Sequence, residues 1–316
     1  MSLRWGILST ARIADTLLGS GLAAVAVGSR SAERAQAWAA ERGIARAHGS
    51  YEALLADPEV DAVYVPLPNS LHVEWSIAAL RAGKHVLCEK PMGRDPEAVA
   101  RAFDVARAEG RLLAEGFMWR HHPQVAAALD AVRGGAIGDL RLVRGAFSFG
   151  LARPGDVRFQ ATLEGGALMD VGSYCVSAAR VFTGGEPQQA LGAAVTGGDG
   201  VDLAFAGTLR FEGDVLATLD VGMDRARRGA VEVVGSEGTL VLRDPWHGRA
   251  PVIEVDGEPL PGVEGADAYA LMLADFEAAA RGERAPLLGR DDAVGQARAL
   301  AALHRAAAEG RAVDVG

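Results

Sequence analysis

Lys90 and Tyr174 carry side chains that can exchange a proton with an alcohol. A lysine without a functional role after a strand and a tyrosine at the edge of the core are the structural alternatives. A phenol with its ordinary pKa of about 10 is a poor base at neutral pH, and a neighbouring ammonium lowers that pKa in the useful direction. Asp170 precedes Tyr174 by four residues, so both side chains project from one face if this segment is helical. We expect Asp170 to bind a substrate hydroxyl or to orient the site; a structural carboxylate is the alternative.

Oxidising a carbinol also needs a hydride acceptor, and the turn after the first predicted strand is the candidate dinucleotide site. Such a turn usually has the pattern G-x-G-x-x-G/A, whereas here the equivalent run is STARIA, in which only Ala14 fits. A helix N-terminus still offers N–H groups to a phosphate, and two hydroxyls add donors. An ordinary strand–helix turn is the alternative. The predicted cofactor-binding residues of the turn are Ser9, Thr10, Ala11, Arg12 and Ile13.

The second predicted strand ends in Ser29 and Arg30. An acidic residue at this point would bind the ribose 2′-hydroxyl of NAD, while an arginine accommodates the 2′-phosphate of NADP. The sequence therefore predicts that NADP(H) is preferred over NAD(H), and a solvated surface arginine is the alternative for Arg30.

The elements that must position these residues form two sections. Short apolar runs alternate with amphipathic helices over residues 1–119, which predicts an α/β fold with a doubly wound, Rossmann-type parallel sheet. Lys90 then stands at the carboxyl end of a strand, where such sheets place their ligands. Residues 120–316 contain alternating β-like runs separated by Gly and Asp, which predicts an α+β domain with a large, mainly antiparallel sheet.

The composition excludes several classes of protein. The 316 residues are 49% hydrophobic and carry a net charge of −9, so we expect a globular chain with neither nucleic acid nor a membrane as its partner. No apolar run approaches the roughly 20 residues of a membrane span. The two cysteines form no CxxC pair, the start of the sequence has no signal-peptide pattern, and His121 and His122 would not share a helix face as metal ligands do. We therefore expect a cytoplasmic protein without a metal.

Two longer stretches are more specific than the turn. YVPLPNSLHVEWSIAALRAGKHVLCEKPM and GGALMDVGSYCV resemble the Gfo/Idh/MocA family of oxidoreductases, and the resemblance runs over essentially the whole chain. CEKPMG and GSYC are most similar to the branch with dimeric dihydrodiol dehydrogenases, NADP-dependent sugar dehydrogenases and glucose–fructose oxidoreductase. The glycine-poor turn is the main departure from the family pattern.

The resemblance assigns further residues to the site. It implies a cis Lys90–Pro91 bond, and a cofactor contact for the loop at Asn69 and His72; a capping role for His72 is the alternative. Glu89 would support the Lys-Pro turn and the cofactor ribose. The remaining residues that it implies are Pro66 and Leu67 for the cofactor and Trp119, Arg120 and His122, with Asp170 and Tyr174, for the substrate.

The resemblance also implies an activity. We expect an NADP(H)-dependent oxidoreductase that transfers a hydride between nicotinamide and a CH–OH or carbonyl carbon of a sugar, a cyclic polyol or a trans-dihydrodiol. Tyr174 would act as general acid/base assisted by Lys90, and the second-domain sheet would join a homodimer or homotetramer. The main alternative is a non-catalytic NADP(H)-binding regulator on the same fold; a Rossmann-like methyltransferase would leave Glu89, Lys90 and Pro91 without a role.

Overall fold

The computed structural model describes residues 2–153 and 155–316, and the chain divides into two compact units. The first unit contains the residues up to Met118 together with Tyr269–Val294, and the second contains Trp119–Ala268 and Gly295–Gly316. The division after Met118 is close to the boundary that the sequence predicts, but the return of Tyr269–Val294 to the first unit has no counterpart in the predicted range 120–316. None of the helices in the described ranges is long and apolar enough to cross a membrane.

A six-stranded parallel sheet forms the first unit, in the order β3-β2-β1-β4-β5-β6. Strands β1 and β4 are completely buried along their length, as expected for a sheet with helices on both faces. The predicted doubly wound sheet is thus confirmed. Its elements are β1 (Trp5–Leu8), α1 (Ile13–Gly19), β2 (Ala24–Gly28), α2 (Ala32–Arg42), β3 (Arg46–His48), α3 (Tyr51–Leu55), β4 (Ala62–Val65), α4 (His72–Arg81), β5 (His85–Glu89), α5 (Pro96–Ala108) and β6 (Leu113–Gly116).

Side-chain caps fix where several of these helices begin. The hydroxyl of Ser31 accepts the Arg34 N–H at the start of α2, and the hydroxyl of Ser50 accepts the Ala53 N–H at the start of α3. Asp95 accepts the N–H groups of Glu97 and Ala98 before α5. Each cap satisfies a donor that the first turn of a helix leaves unpaired, so the helices start directly after the strand ends.

A nine-stranded sheet dominates the second unit, and all its neighbouring pairs are antiparallel except β7 with β10. Its order is β14-β13-β12-β11-β7-β10-β9-β8-β15, which confirms the predicted large and mainly antiparallel sheet. The remaining elements are α6 (Pro123–Arg133), β7 (Leu140–Gly150), α7 (Ser173–Thr183), β8 (Gln189–Thr196), β9 (Asp202–Arg210), β10 (Leu216–Gly222), β11 (Asp224–Gly235), β12 (Thr239–Leu242), β13 (Ile253–Val255), β14 (Glu258–Pro259), α8 (Ala268–Ala280), α9 (Arg290–Glu309) and β15 (Val313–Asp314).

Helix α8 explains why a late segment belongs to the first unit. The ring of Phe276 packs on Trp5 of β1 with centroids 5.0 Å apart, and the Trp5 indole N–H donates to Glu277 at 3.2 Å. Trp5 is completely buried. The second half of α8 therefore completes the core around the first strand of the sheet.

His72 joins the two loops that follow β4 and β5. Its Nε2 lies 2.7 Å from the Leu67 carbonyl oxygen, and its Nδ1 lies 2.8 Å from the Pro91 carbonyl oxygen. The side chain is 1% exposed, and burial is the main cause that lowers its pKa from 6.5 to about 4. The neutral ring has one N–H and donates to one of these two carbonyls, while it packs between the segments that carry Asn69 and Lys90.

Gly145 allows the second sheet to approach helix α7 closely. A Cβ atom at this position of β7 would lie 2.8 Å from the Cβ of Cys175. Real Cβ atoms do not come this close, so any larger residue would push the helix away from the strand. Because Cys175 follows Tyr174, the same contact sets the height of the tyrosine above the sheet.

We expect Gly145→Ala to lower the free energy of unfolding by about 1–3 kcal/mol, because the new methyl group overpacks the contact with Cys175. Gly150→Ala on the same strand is the matched control, since its nearest neighbour would be 3.6 Å away. Urea unfolding followed by circular dichroism compares the two variants. Equal effects of the two substitutions would contradict the close approach.

We also expect His72 to make stability depend on pH. Between pH 6.5 and about 4 the unfolded chain binds a proton at His72 that the folded chain does not. The contribution of neutral His72 to the free energy of unfolding is therefore complete above this pH window and is lost as pH falls through it. The loss amounts to about 3 kcal/mol.

The comparison variant is His72→Gln, which cannot titrate. Urea unfolding across this window gives the difference in free energy between the wild type and the variant, which removes the contributions of all other groups. We expect the difference to shrink as pH falls, and a difference that is constant with pH would refute the assignment.

Candidate active site

In the turn after β1, Ser9 stands where the usual dinucleotide-binding pattern has its first glycine. This residue has φ of 131°, a value that normally favours glycine and costs a larger residue about 1–3 kcal/mol. The Ser9 hydroxyl accepts the Ala11 N–H at 3.2 Å and donates to the Pro66 carbonyl at 3.3 Å. The hydroxyl that the sequence offers to a phosphate is therefore engaged within the protein, where it holds the turn against the end of β4.

The other residues of the turn leave its backbone accessible. Thr10, Ala11 and Ile13 are half-buried, Arg12 is exposed, and helix α1 starts at Ile13 without a side-chain cap. Ala11 and Arg12 accept the first backbone bonds of this helix. Their contact with a cofactor stays a prediction.

A cluster of two arginines and a tyrosine follows β2. Arg30 is exposed, while Ser29 is buried and accepts the Ser31 N–H. Burial raises the pKa of Tyr51, and the charges of Arg30 and Arg34 oppose that rise. Arg34 was not predicted from the sequence, although its position in the first turn of α2, close after the Ser31 cap, was a usable signal.

Glu89 organises the carboxyl end of β5. It accepts the Tyr64 hydroxyl at 2.6 Å and the Lys90 N–H at 3.2 Å, and burial together with this carboxylate raises the pKa of Tyr64. The Lys90–Pro91 bond is cis, as the family resemblance implies. Glu89 thus supports the turn that carries Lys90, whose side chain is half-buried.

Glu115 also supports this turn, and it was not predicted from the sequence as part of the site. Its carboxylate, on β6, is 3% exposed and accepts the Met92 N–H at 2.6 Å. On the neighbouring loop Pro66 and Leu67 are buried, and Asn69 opens a single turn of 3₁₀ helix before His72. Because both nitrogens of His72 face loop carbonyls, the ring orders these loops and does not cap α4.

In the second unit a π-helical segment, Leu168–Gly172, leads directly into α7. Such widened turns occur often at functional sites. Asp170 lies in this segment and accepts from Arg158 Nε at 2.7 Å, with a side chain that is 15% exposed. The ion pair supports the structural alternative for Asp170; its contact with a substrate stays a prediction.

Tyr174 stands in the first turn of α7 within an aromatic wall. Its ring centroid lies 5.4 Å from that of Phe147 and 5.6 Å from that of Trp246, both nearly edge to face, and its residue is 9% exposed. Phe147 and Trp246 stack at 5.6 Å. Phe147 and Trp246 were not predicted as neighbours of Tyr174, because β7 and the segment after β12 meet only in the folded sheet.

Buried polar groups fix the start of α7. The side-chain amide of Gln296 donates to the Ser173 carbonyl at 2.7 Å and accepts from Arg180 at 3.3 Å. Arg180 also pairs with Glu186 at 2.6 Å. The residue before Tyr174 is therefore tied to helix α9.

The three remaining substrate candidates have different surroundings. Trp119 is completely buried against Trp246, with centroids 5.5 Å apart. Arg120 is half-buried and reaches the Ser177 hydroxyl on α7 at 3.5 Å. His122 is 1% exposed and caps α6 by accepting the Gln124 N–H at 3.1 Å. Its ring therefore has a structural role in addition to the substrate contact that the sequence predicts. Across the described ranges, no three His, Cys, Asp or Glu side chains are grouped so as to hold a metal ion.

Both units match models of known families. Residues 6–117 match the oxidoreductase family with an NAD-binding Rossmann fold, and residues 125–241 match the GFO/IDH/MocA C-terminal domain.

Similar proteins cover nearly the whole chain. D-xylose 1-dehydrogenase (NADP(+)) 2 of Haloferax volcanii is 35% identical over 99% of this chain and 100% of its own. The dTDP-3,4-didehydro-2,6-dideoxy-alpha-D-glucose 3-reductase of Streptomyces violaceoruber is 40% identical over 81% of this chain and 78% of its own. The crystal structure of KijD10, a 3-ketoreductase from Actinomadura kijaniata in complex with NADP and TDP-benzene, superposes with a TM-score of 0.90 at 33% identity, covering 97% of this chain and 98% of the other. With both of its sections matched and relatives that span its length, the chain belongs to the Gfo/Idh/MocA family of oxidoreductases.

Proposed function

We propose that this oxidoreductase uses NADP(H) to interconvert a CH–OH group and a carbonyl group on a sugar, a cyclic polyol or a related dihydrodiol. The observation that carries the proposal is the setting of Tyr174: a phenol at the start of a helix, enclosed by Phe147 and Trp246 and anchored through Ser173. Apolar rings on the sides of a phenol exclude water and strengthen the electrostatic interactions of its hydroxyl.

The residues of the first unit fit a dinucleotide. Ser9 adopts the glycine-like conformation that the phosphate turn requires, and its hydroxyl closes the turn from inside. In the proposal the turn at 9–13 faces the pyrophosphate, and Pro66, Leu67, Asn69 and the segment of Glu89 and Lys90 hold the nicotinamide end. Bound NADP(H) supplies or accepts the hydride.

Proton transfer is the task of the protein's own side chains. Tyr174 gives its phenolic proton to the substrate oxygen during reduction and takes it back during oxidation. In the proposal Lys90 donates a hydrogen bond to the same substrate oxygen. Glu89 and Glu115 hold the backbone on either side of the Lys90–Pro91 bond, so they act as positioning residues.

Arg30 and Arg34 support the choice of NADP(H). Both arginines stand at the carboxyl end of β2 near Tyr51, where the family fold presents the adenosine ribose. A guanidinium binds a phosphate through charge-assisted, often bidentate, hydrogen bonds. The names of the Haloferax relative and of the KijD10 complex, which include NADP, agree with this assignment.

We expect Tyr174→Phe and Lys90→Ala each to lower kcat by at least about 100-fold, since each removes a group from proton transfer. Turnover is followed by NADPH absorbance in a screen of sugars and polyols with NADP⁺, and of the matching carbonyl compounds with NADPH. NADP⁺ affinity, measured by calorimetry, stays near that of the wild type for Tyr174→Phe.

Thr183→Val is the control, because it removes one hydroxyl at the far end of the same helix. Near-wild-type turnover of both Tyr174→Phe and Lys90→Ala would overturn the assigned roles. An absence of turnover by the wild-type protein with every substrate, despite tight NADP⁺ binding, would favour the non-catalytic regulator.

The cofactor preference is tested by charge reversal. We expect Arg30→Asp to lower the ratio of NADP⁺ to NAD⁺ affinity at least about tenfold, because a charge-assisted hydrogen bond is replaced by repulsion. Arg101→Asp, on the exposed face of α5, introduces the same change in charge away from β2 and leaves the ratio unchanged. An unchanged ratio in Arg30→Asp would mean that this arginine is only a surface residue.

A further inference from the structure

The segment that follows β12 packs onto the face of the second sheet that is covered by helix α7, the helix that contains Tyr174. Trp246 donates from its indole N–H to the Ala146 carbonyl at 3.1 Å, and a Cβ at Gly229 would lie 3.2 Å from the Trp246 ring. Gly229 pairs with Phe147 across strands β11 and β7. The absence of a side chain at Gly229 thus makes room for Trp246 beside Phe147 and Tyr174.

His247 continues the aromatic wall towards solvent. Its ring stands edge-on to Phe147, with centroids 6.3 Å apart, and its side chain is 36% exposed. Asp244 approaches the ring only to 3.9 Å and also accepts the Arg249 N–H. One side of the wall therefore ends in a partly exposed imidazole.

Two guanidinium groups flank this imidazole. Arg227, at the β11 end near the β10–β11 turn, and Arg249, two residues after His247, are both exposed. Arg249 is two residues after His247, and Arg227 is two residues before Gly229, which adjoins the Trp246 ring, so both stand on segments next to the imidazole. Burial lowers the pKa of His247, the carboxylate of Asp244 opposes this, and the charges of Arg227 and Arg249 lower the pKa further.

The neighbouring arginines differ from these two in their partners. Arg225 pairs with Asp224, Arg228 with Asp220 and Arg243 with Glu254. For Arg227 and Arg249, by contrast, the structure of residues 2–153 and 155–316 contains no carboxylate within ion-pair distance of the guanidinium. Arg227 and Arg249 outnumber the one carboxylate at His247, that of Asp244, so this part of the surface has a local positive charge on a chain of net charge −9.

We propose that Arg227, His247 and Arg249 form an anion subsite that binds a phosphate group carried by the substrate. The inference rests on the proposed function, in which Tyr174 meets the reacting carbon. The ring of Phe147 contacts both Tyr174 and His247, with centroids 5.4 Å and 6.3 Å apart, so the phenol and the proposed subsite border the same ring. Guanidinium forks match the oxygens of a phosphate, and a neutral sugar would leave them without a ligand.

The phosphate can belong to a sugar monophosphate or to a nucleoside diphosphate sugar, and the test separates these sources. Glucose 6-phosphate, dTDP-glucose and neutral glucose are titrated by calorimetry into the full-length protein saturated with NADP⁺. Saturation keeps the nucleotide probe out of the cofactor site. The variants are Arg227→Gln, Arg249→Gln and the double substitution. The matched control is Arg144→Gln on β7, which pairs with Glu232 on the face of the sheet opposite to Gly145 and Cys175.

We expect at least one phosphate probe to bind more tightly than glucose, and the double variant to bind it at least about tenfold more weakly. The affinity also falls as salt is raised. Arg144→Gln keeps the wild-type affinity. The probe that binds more tightly identifies the source of the phosphate.

Three results would overturn the subsite: no binding of either phosphate probe, an unchanged affinity in the double variant, or an equal loss in Arg144→Gln. Binding is measured without turnover, so the proposed function is tested separately. A protein that reduces or oxidises neutral sugars but fails these titrations contradicts only the subsite, while one that binds the phosphate probe without any hydride transfer contradicts only the proposed reaction.

Discussion

Parallel pairing of β1 with both β2 and β4 is the constraint on which the first unit depends. It brings the carboxyl ends of these strands to one edge and reverses the direction of strand order at β1, which is where open α/β sheets bind ligands. Strands β1 and β4 are completely buried, so the polar side chains that could face a ligand come from that edge and from the loops beyond it. Ser9, Arg30 and Lys90 are close to the cofactor in the proposed function because each follows one of these strands or its neighbour β5.

The loops at this edge depend on buried hydrogen bonds rather than on regular structure. The Ser9 hydroxyl joins the first turn to the end of β4, His72 joins the loops after β4 and β5, and the carboxylates of Glu89 and Glu115 hold the Lys-Pro segment. Each of these groups would cost free energy if its partner were removed, because a buried polar group without a hydrogen bond is destabilising. The backbone around Lys90 is thus specified from both sides.

The second unit positions its phenol by packing. Gly145 brings the sheet against Cys175, and Gly229 admits Trp246 beside Phe147, so two positions without side chains determine where the aromatic rings lie. Gln296 fixes the backbone before Tyr174 from another helix. A glycine in a strand is often explained by a bulge or a bend, but here each glycine leaves space for a close neighbour. Helix α7 at Cys175 lies over Gly145, and the Trp246 ring lies over Gly229.

Much of the fold could be predicted from local patterns, since strand–helix alternation, the caps at Ser31, Ser50 and Asp95 and the Gly-punctuated β runs depend on neighbours in sequence. The candidate site was predictable where a residue ends a strand, as Arg30 and Lys90 do. Partners distant in sequence were not: Trp246, Phe147 and Glu115 contribute through contacts that no periodicity encodes. The Ser9 hydroxyl closes its own turn and His122 caps a helix, and neither contact was predicted because a side chain's nearest partner is decided by the three-dimensional fold. The contacts of these two residues with cofactor or substrate stay predictions.

The contact between Trp5 and helix α8 links the first strand to a segment that is synthesised much later. Trp5 donates to a residue 272 positions further along the chain, and Phe276 covers the same indole. A ribosome adds about 5–20 residues per second, so an apolar strand waits on the order of tens of seconds before its covering helix emerges. The core around the first strand is therefore incomplete until that helix has been made, and until then the Trp5 indole lacks both the ring of Phe276 and its acceptor Glu277.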